Sequence, residues 1–147
     1  MSSPVTEYFT EGHRLSPIYP ASRNHVEANT GFVSMRDYHK AVFIISAGQI
    51  AALGTLDAEI LQATDTLGTG VKAITGKAIA PLDTNDDNSM SVIELDSSEL
   101  DVTNGFDCIL GSISHGGHVA ILSSALLIRH QPRFKPVGTD NIDEVVV

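Results

Sequence analysis

The sequence predicts an all-β protein: an antiparallel β-sandwich or jelly roll with an extended N-terminal arm and little helix. Three observations lead there. Seven or eight short apolar runs follow one another, with turn residues between them. The stretch GTGVKAITGKAIAPL is interrupted by Gly68, Gly70 and Gly76, which makes a helix there unfavourable. With no Trp and only 5% aromatics, the core has to be built from Val, Ile, Leu and Ala. A chain of 147 residues suits one domain with a sizeable core.

Residues 1–35 show little periodicity. They hold Pro4, Pro17 and Pro20, together with the spaced apolar residues Phe9, Leu15, Ile18 and Tyr19. A free tail would lack such anchors, so this segment reads as an arm ordered on another surface, its own domain or a partner. The sandwich is expected over 36–132 and a C-terminal tail over 133–147. RDYHKAVFIISAG reads as a strand buried on both faces at its centre. TLDAEILQATD, bounded by Gly54 and Gly68, reads as a strand, and GTGVKAITGKAIAPL supplies one or two more. SMSVIELD is a strand. SSELDVTNGFD opens on a candidate cap at Ser97 or Ser98 and ends at Asn104-Gly105, so one helical turn is expected there. In FDCILGSISHGGHVAILSSALLIRH, two β-rich runs flank Gly116-Gly117, a pair suited to a two-residue hairpin turn with His115 and His118 facing each other. QPRFKPVG is broken by Pro132 and Pro136, and the chain ends in a polar linker with an apolar tip.

The net charge of −9 argues against a nucleic-acid partner, which needs clustered Lys and Arg. Between Ala78 and Ile128 stand eight acids and no Lys or Arg, a pattern of a solvated face or of a surface that meets something basic. No apolar run is long enough to span a bilayer and no signal peptide is evident, so a soluble, cytoplasmically made protein with no membrane partner is expected. The single cysteine, Cys108, sits in an apolar run and reads as a buried, inert thiol.

Four patterns bear on chemistry. In PLDTNDDNSMSVIELD, Asp83, Asn85, Asp87, Ser89, Ser91 and Glu94 have the spacing of a calcium loop. However, Pro81 precedes it, a strand follows it, and Asn88 stands where Gly is preferred, so it reads as an acidic loop between strands. His115 and His118 supply at most two ligands, short of a metal site. GSISHGG holds a Ser and a His without the nucleophile elbow. No phosphate loop, dinucleotide fingerprint or paired-Cys motif is present. The expectation is therefore no catalytic residue, no cofactor and no metal.

The order YHKAVFIISAGQ, GTLDAEILQATDTLGTGVKAITGKAI, VIELDSSELDVTNGFDCI and RFKPV, over residues 34–137, resembles the small proteins encoded beside the major capsid protein in tailed-phage genomes. LQATDTLGTGVKAI and ELDVTNGFDCI are its most specific pieces. The resemblance is to head decoration, or cement, proteins of jelly-roll type. It implies a virion structural protein that binds the outside of the capsid and locks neighbouring subunits together. Its implied partners are the phage major capsid protein and itself, as dimer or trimer, with the protein made in the host bacterial cytoplasm. No catalytic residue is carried over. Phe9, Leu15, Ile18 and Tyr19 become the candidate capsid contacts of the arm. Two other readings stand beside it: a head–tail adaptor or tail protein, and a carbohydrate-binding jelly-roll module. The latter has little to stack sugars on, with no Trp and with Tyr8, Tyr19 and Tyr38 in or near the arm.

Overall fold

Alternation along one central strand sets the architecture. In Tyr38–Ile50 the side chains of Ala41, Phe43, Ile45 and Ala47 are buried, while Val42, Ile44 and Ser46 between them point the other way. The computed structural model describes residues 7–146; the first six residues of the expected arm and Val147 of the tail lie outside them. The elements are α1 (Phe9–Gly12), β1 (His13–Arg23), β2 (Glu27–Asn29), β3 (Val33–Ser34), β4 (Tyr38–Ile50), β5 (Thr55–Ala63), β6 (Lys72–Ala78), β7 (Met90–Asp96), β8 (Cys108–Gly116) and β9 (Ile121–Pro132). Sheet A has the order β1-β9-β4-β7 and sheet B the order β2-β8-β5-β6, with β3 also on β8. All pairings are antiparallel. With β2 and β3 taken as one interrupted strand on β8, two four-stranded sheets face each other as a jelly roll.

The core lies between the sheets. Phe43, Ile45 and Leu127 of sheet A meet Leu56, Ile60, Ile109 and Ile113 of sheet B, all fully buried. Burying each such side chain contributes about 1.5–3 kcal/mol. The Phe43 ring lies over Gly111 of β8, where a Cβ would sit 2.5 Å from the ring. Glycine at 111 therefore sets how closely the sheets approach.

The N-terminal segment lies on its own domain. β1 is an edge strand of sheet A and pairs with β9 from His13↔His130 to Arg23↔Ile121. Pro17 and Pro20 are tolerated in it because an edge strand needs ladder bonds on one side only. The register slips between Ile18 and Ala21. The tail fastens this segment. Arg14 donates to Val137 O at 2.6 Å and pairs with Asp140; the Asn141 side chain donates to Leu15 O, and Lys135 pairs with Glu7.

Three expectations change. β8 and β9 are not a hairpin: β8 pairs with β5 in sheet B and β9 with β4 and β1 in sheet A, so Gly116-Gly117 carries the chain from one sheet to the other. Gly117 is held at φ +86, where a Cβ would sit 2.0 Å from Leu53 O, a position that admits no side chain. The single turn expected after β7 is two 3-10 turns, Ser97–Glu99 and Val102–Asn104, and the first is capped by Asp96, which accepts from Ser98 N, not by Ser97 or Ser98. β4 is not buried on both faces: its outward Val42 and Ile44 are half-buried. Among the described residues no helix is long and apolar enough to cross a membrane.

Gly111→Ala is expected to destabilise the fold by about 1–3 kcal/mol, because the methyl group overpacks the sheet interface. Chemical denaturation checks this; an unchanged midpoint would mean that the sheets can separate freely at Phe43.

Candidate functional site

The outward side chains of sheet A fall into rows fixed by the strand registers. The end row is His13, His130, Lys40 and Asp96 across β1, β9, β4 and β7. The next is Leu15, Ile128, Val42 and Glu94, and then Pro17, Leu126, Ile44 and Val92. The last holds Ser124, Ser46 and Met90, with Tyr19 at the β1 edge. Tyr19, Pro20, Pro17, Ile44 and Leu126 line a shallow apolar depression. Val92 is 54% exposed, Met90 67% and Tyr19 66%. Phe9 prolongs the end row: its ring stacks on His13 at 4.0 Å, and His13 stacks on His130 at 5.7 Å. The result is an apolar sheet face closed at one end by a polar row, a surface of the kind that packs against protein.

Phe9, Leu15 and Tyr19 all lie along this face, two of them exposed and Leu15 half-buried. Ile18 does not join them. It points the other way, 5% exposed, into the core. The half-buried Leu126, Val42 and Ile44, the exposed Val92 and the buried Ile128, 7% exposed, complete this side of the sheet. In AVFII the lack of polar residues at alternate positions reads as two-sided burial, whereas ALLI reads only as part of a β-rich run and Val92 only as part of the strand SMSVIELD.

The opposite outer face is chemically different. Glu27, Asp57 and Glu59 surround Ser112 and Ser114 on sheet B, and Ser112 Oγ donates to Glu27 Oε1 at 2.8 Å. The acidic block itself is divided in space. Asp96 pairs with Lys40 at 2.6 Å, Glu99 with Lys77 at 3.0 Å, Asp101 with Lys72 and Asp107 with Arg36. The Lys40 ammonium holds the Asp96 carboxyl well below the usual carboxylate range, with the Ser98 N–H and hydroxyl adding to it. Glu99 is lowered first by the Asp96 N–H and then by Lys77, and Asp101 first by Lys72 and then by the Asn104 amide.

The carboxylates of the calcium-like loop serve the backbone. Asp83 accepts from Asn85 N, Asp86 from Asp83 N, and Asp87 from Ile50 N at 2.7 Å. Asn88, at the position where Gly is preferred, takes the left-handed conformation at φ 55. Among the described residues no group of three or more His, Cys, Asp or Glu side chains converges on one point.

His115 and His118 are separated. His118 stacks on His25 at 4.0 Å, and His115 is buried between the sheets. There its Nδ1–H donates to Val26 O at 2.9 Å, which leaves Nε2 to accept from Ser123 Oγ at 2.7 Å. Arg23 donates to Ser123 O at 3.0 Å. Sequence order gave no sign of this Ser–His contact. At 4% and 5% exposure for His115 and Ser123 it is a polar tie between sheets, closed to a substrate. Burial pushes the His115 ring below its ordinary pKa, opposed by the bond to Val26 and assisted by Arg23. His130 is lowered by burial, then by His13 and Lys40. Burial pushes the Cys108 thiol up to about 11, with Asp107 adding to it.

The fold and this surface define a jelly roll with one apolar and one acidic outer face. No protein-family model and no curated protein sequence matches the chain. Among solved structures it is similar to the VP2 subviral particle of infectious bursal disease virus, with TM-score 0.45 and 15% identity over 80% of this chain and 33% of that one. It is similar to the Bacillus endospore appendage pili, with TM-score 0.43 and 9% identity over 88% and 96%. A structure of Desmodium yellow mottle tymovirus gives TM-score 0.33 and 12% identity over 94% and 97%. The chain spans about a third of the length of the infectious bursal disease virus chains. At these scores the likenesses bear on shape, and function has to come from the chain's own surface.

Two outcomes follow from the buried groups. His115 and His130 are lowered in the fold, so the unfolded chain takes up protons first as pH falls through about 6.5, and stability drops below that point and is regained above it. The lowered carboxylates Asp96, Glu99 and Asp101 act in the same sense at lower pH, their contribution being lost as pH falls below about 4. The melting temperature should therefore fall from pH 7.5 to pH 5.5, and by less in His115→Gln; an equal fall in the variant would remove His115 as the cause. Cys108 should resist a thiol reagent at pH 8 in the native protein and react fully in urea. Rapid native labelling would contradict its burial.

Proposed function

We propose that this chain is a non-enzymatic virion structural protein that decorates and cements the outer surface of a tailed-phage capsid by bridging major capsid protein subunits. The observation that carries this reading is the two-sidedness of the slab: an apolar outer face on sheet A for packing against protein, and an acidic outer face on sheet B for facing water. Both are mounted on a rigid aliphatic core. Jelly rolls recur in viral capsid domains, which supports the reading by analogy of fold. The resemblance over residues 34–137 supports the phage-decoration role. Phe9 is the outermost proposed shell contact, exposed at the N-terminal end of the slab; Leu15 and Tyr19 serve protein packing through the broad face. Ile18 is committed to the core and is left out of the contact set. Repetition over an icosahedral lattice makes individually weak contacts collectively strong.

Quantitative mass spectrometry of purified particles tests this. Copy numbers in the hundreds are expected for a shell protein, whereas about a dozen would place the chain in a ring at the head–tail junction. Absence from particles would refute a virion role altogether. Phe9→Ala should weaken binding to preformed shells about tenfold, near 1.4 kcal/mol per contact, with the melting temperature unchanged because Phe9 is mostly solvent-exposed.

A further inference from the structure

We infer that the end of the sandwich where the chain crosses from β8 to β9 is an acid-sensitive latch. Its closed form admits only a neutral His115 ring, and proton uptake releases residues 24–29, the β1–β2 connection and β2, from the edge of β8.

The hydrogen bonds around His115 run in one direction. Val26 O can only accept, so it receives the His115 backbone N–H at 3.0 Å and the ring Nδ1–H at 2.9 Å. Nε2 is then an acceptor and takes the Ser123 hydroxyl proton at 2.7 Å. The Arg23 guanidinium can only donate, and its Nη1 reaches the same Oγ at 3.3 Å and Ser123 O at 3.0 Å. A proton added at Nε2 would aim two cations, His115 and Arg23, at one neutral oxygen. It would also take from the Ser123 hydroxyl proton its acceptor.

No carboxylate relieves this. β5 sets Leu56 opposite His115, and its neighbour Asp57 turns to the outer face. Glu27 of β2 also turns outward, to Ser112. β4 and β9 bring Ile50, Ile121 and Ser123 inward at this end, and Asp87 beside them accepts from Ile50 N. Arg23 is the charged group that faces the ring, and among the described residues no acidic side chain is buried with it. Two more titratable rings, His25 and His118, stack at 4.0 Å and fasten the same connection from its other side.

The segment that the latch holds is lightly anchored. β2 is three residues long, with Glu27 and Asn29 exposed and Ala28 packed on the core. Beyond it Thr30 is held firmly: its N–H donates to Gly111 O and its Oγ1 accepts from Gly111 N, both at 3.0 Å. Residues 24–29 therefore swing about Thr30 while β8 stays paired with β5. Opening leaves β8 with a free edge, its His115 N–H unpaired and open to another strand.

Hydrogen exchange of the full chain at pH 7.5 and pH 5.5, corrected for the intrinsic effect of pH on exchange, tests the inference. A freed imidazole titrates near pH 6.5, so this step should multiply the open population about tenfold. Protection over residues 24–29 should fall by that factor, with β4, β5 and β9 unchanged. His115→Gln, neutral at both pH values, should abolish the difference, and His118→Asn should keep it. The native chain gives a second readout by imidazole nitrogen NMR. His115 should carry its proton on Nδ1 at pH 7.5 and gain a second only as residues 24–29 lose protection. Equal protection at the two pH values, a fall spread evenly over all strands, or a His115 ring that titrates while β2 stays protected overturns the inference. So does a pH effect that survives in His115→Gln and vanishes in His118→Asn.

Discussion

Everything in this molecule depends on the approach of Phe43 to Gly111 across the sheet interface. It fixes the separation of the sheets and also the phase of β4. With Phe43 and Ile45 turned inward, Val42 and Ile44 must turn outward, since a one-residue slip would exchange the two sets. The same holds for β9, where Leu127 faces the core and Leu126 and Ile128 do not. The apolar outer face is thus the geometric complement of the core. It cannot be removed by shifting register, only by changing residues.

Electrostatics divides the molecule along the same line. The run of acids between Ala78 and Ile128 looks like one charged surface in sequence. In space Lys40, Lys72, Lys77 and Arg36, all from outside the run, neutralise half of its members. Three more, Asp83, Asp86 and Asp87, accept from backbone N–H groups, the first two within their own loop and Asp87 from Ile50 at the end of β4. Of the run only Glu94 is left, exposed on the outer face of sheet A, while a separate acidic group, Glu27, Asp57 and Glu59, lies on sheet B. Surface ion pairs of this kind add little stability individually. Their effect is to reduce the negative charge beside sheet A to the exposed Glu94.

Much of the fold was legible because strands announce themselves locally. Val, Ile and Leu at alternate positions marked β4, β5, β7, β8 and β9, and turn residues marked their ends. What was not legible is which strands pair. The sequence around Gly116-Gly117 suits a hairpin as well as a crossing between sheets, and only the pairing of β8 with β5, distant in sequence, decides between them. β1 was hidden by Pro17 and Pro20, whose cost vanishes on an edge strand. The candidate face was half legible: Phe9, Leu15 and Tyr19 stood out as spaced anchors, but Ile18 beside them faces the core. Which of two neighbours in a strand points inward depends on register, which no local pattern reveals. The Ser123–His115 tie joins residues eight apart that lie in different sheets, and nothing in their spacing signals it.

The two outer faces together bear on how far assembly can go. Apolar surface returned to a dry interface stabilises by about 25 cal/mol per Å², so the sheet-A face favours a third layer against it. If that layer is another sheet A, the stack runs B-A-A-B, with aligned sheets about 10 Å apart as in ordinary sandwiches. Both exposed surfaces of such a stack are acidic, and a net charge of −9 per chain makes them repel any further copy. An isologous contact of this kind uses the same patch on both partners and so closes after two. A slab with one apolar and one acidic outer face therefore does not grow by stacking copies of itself.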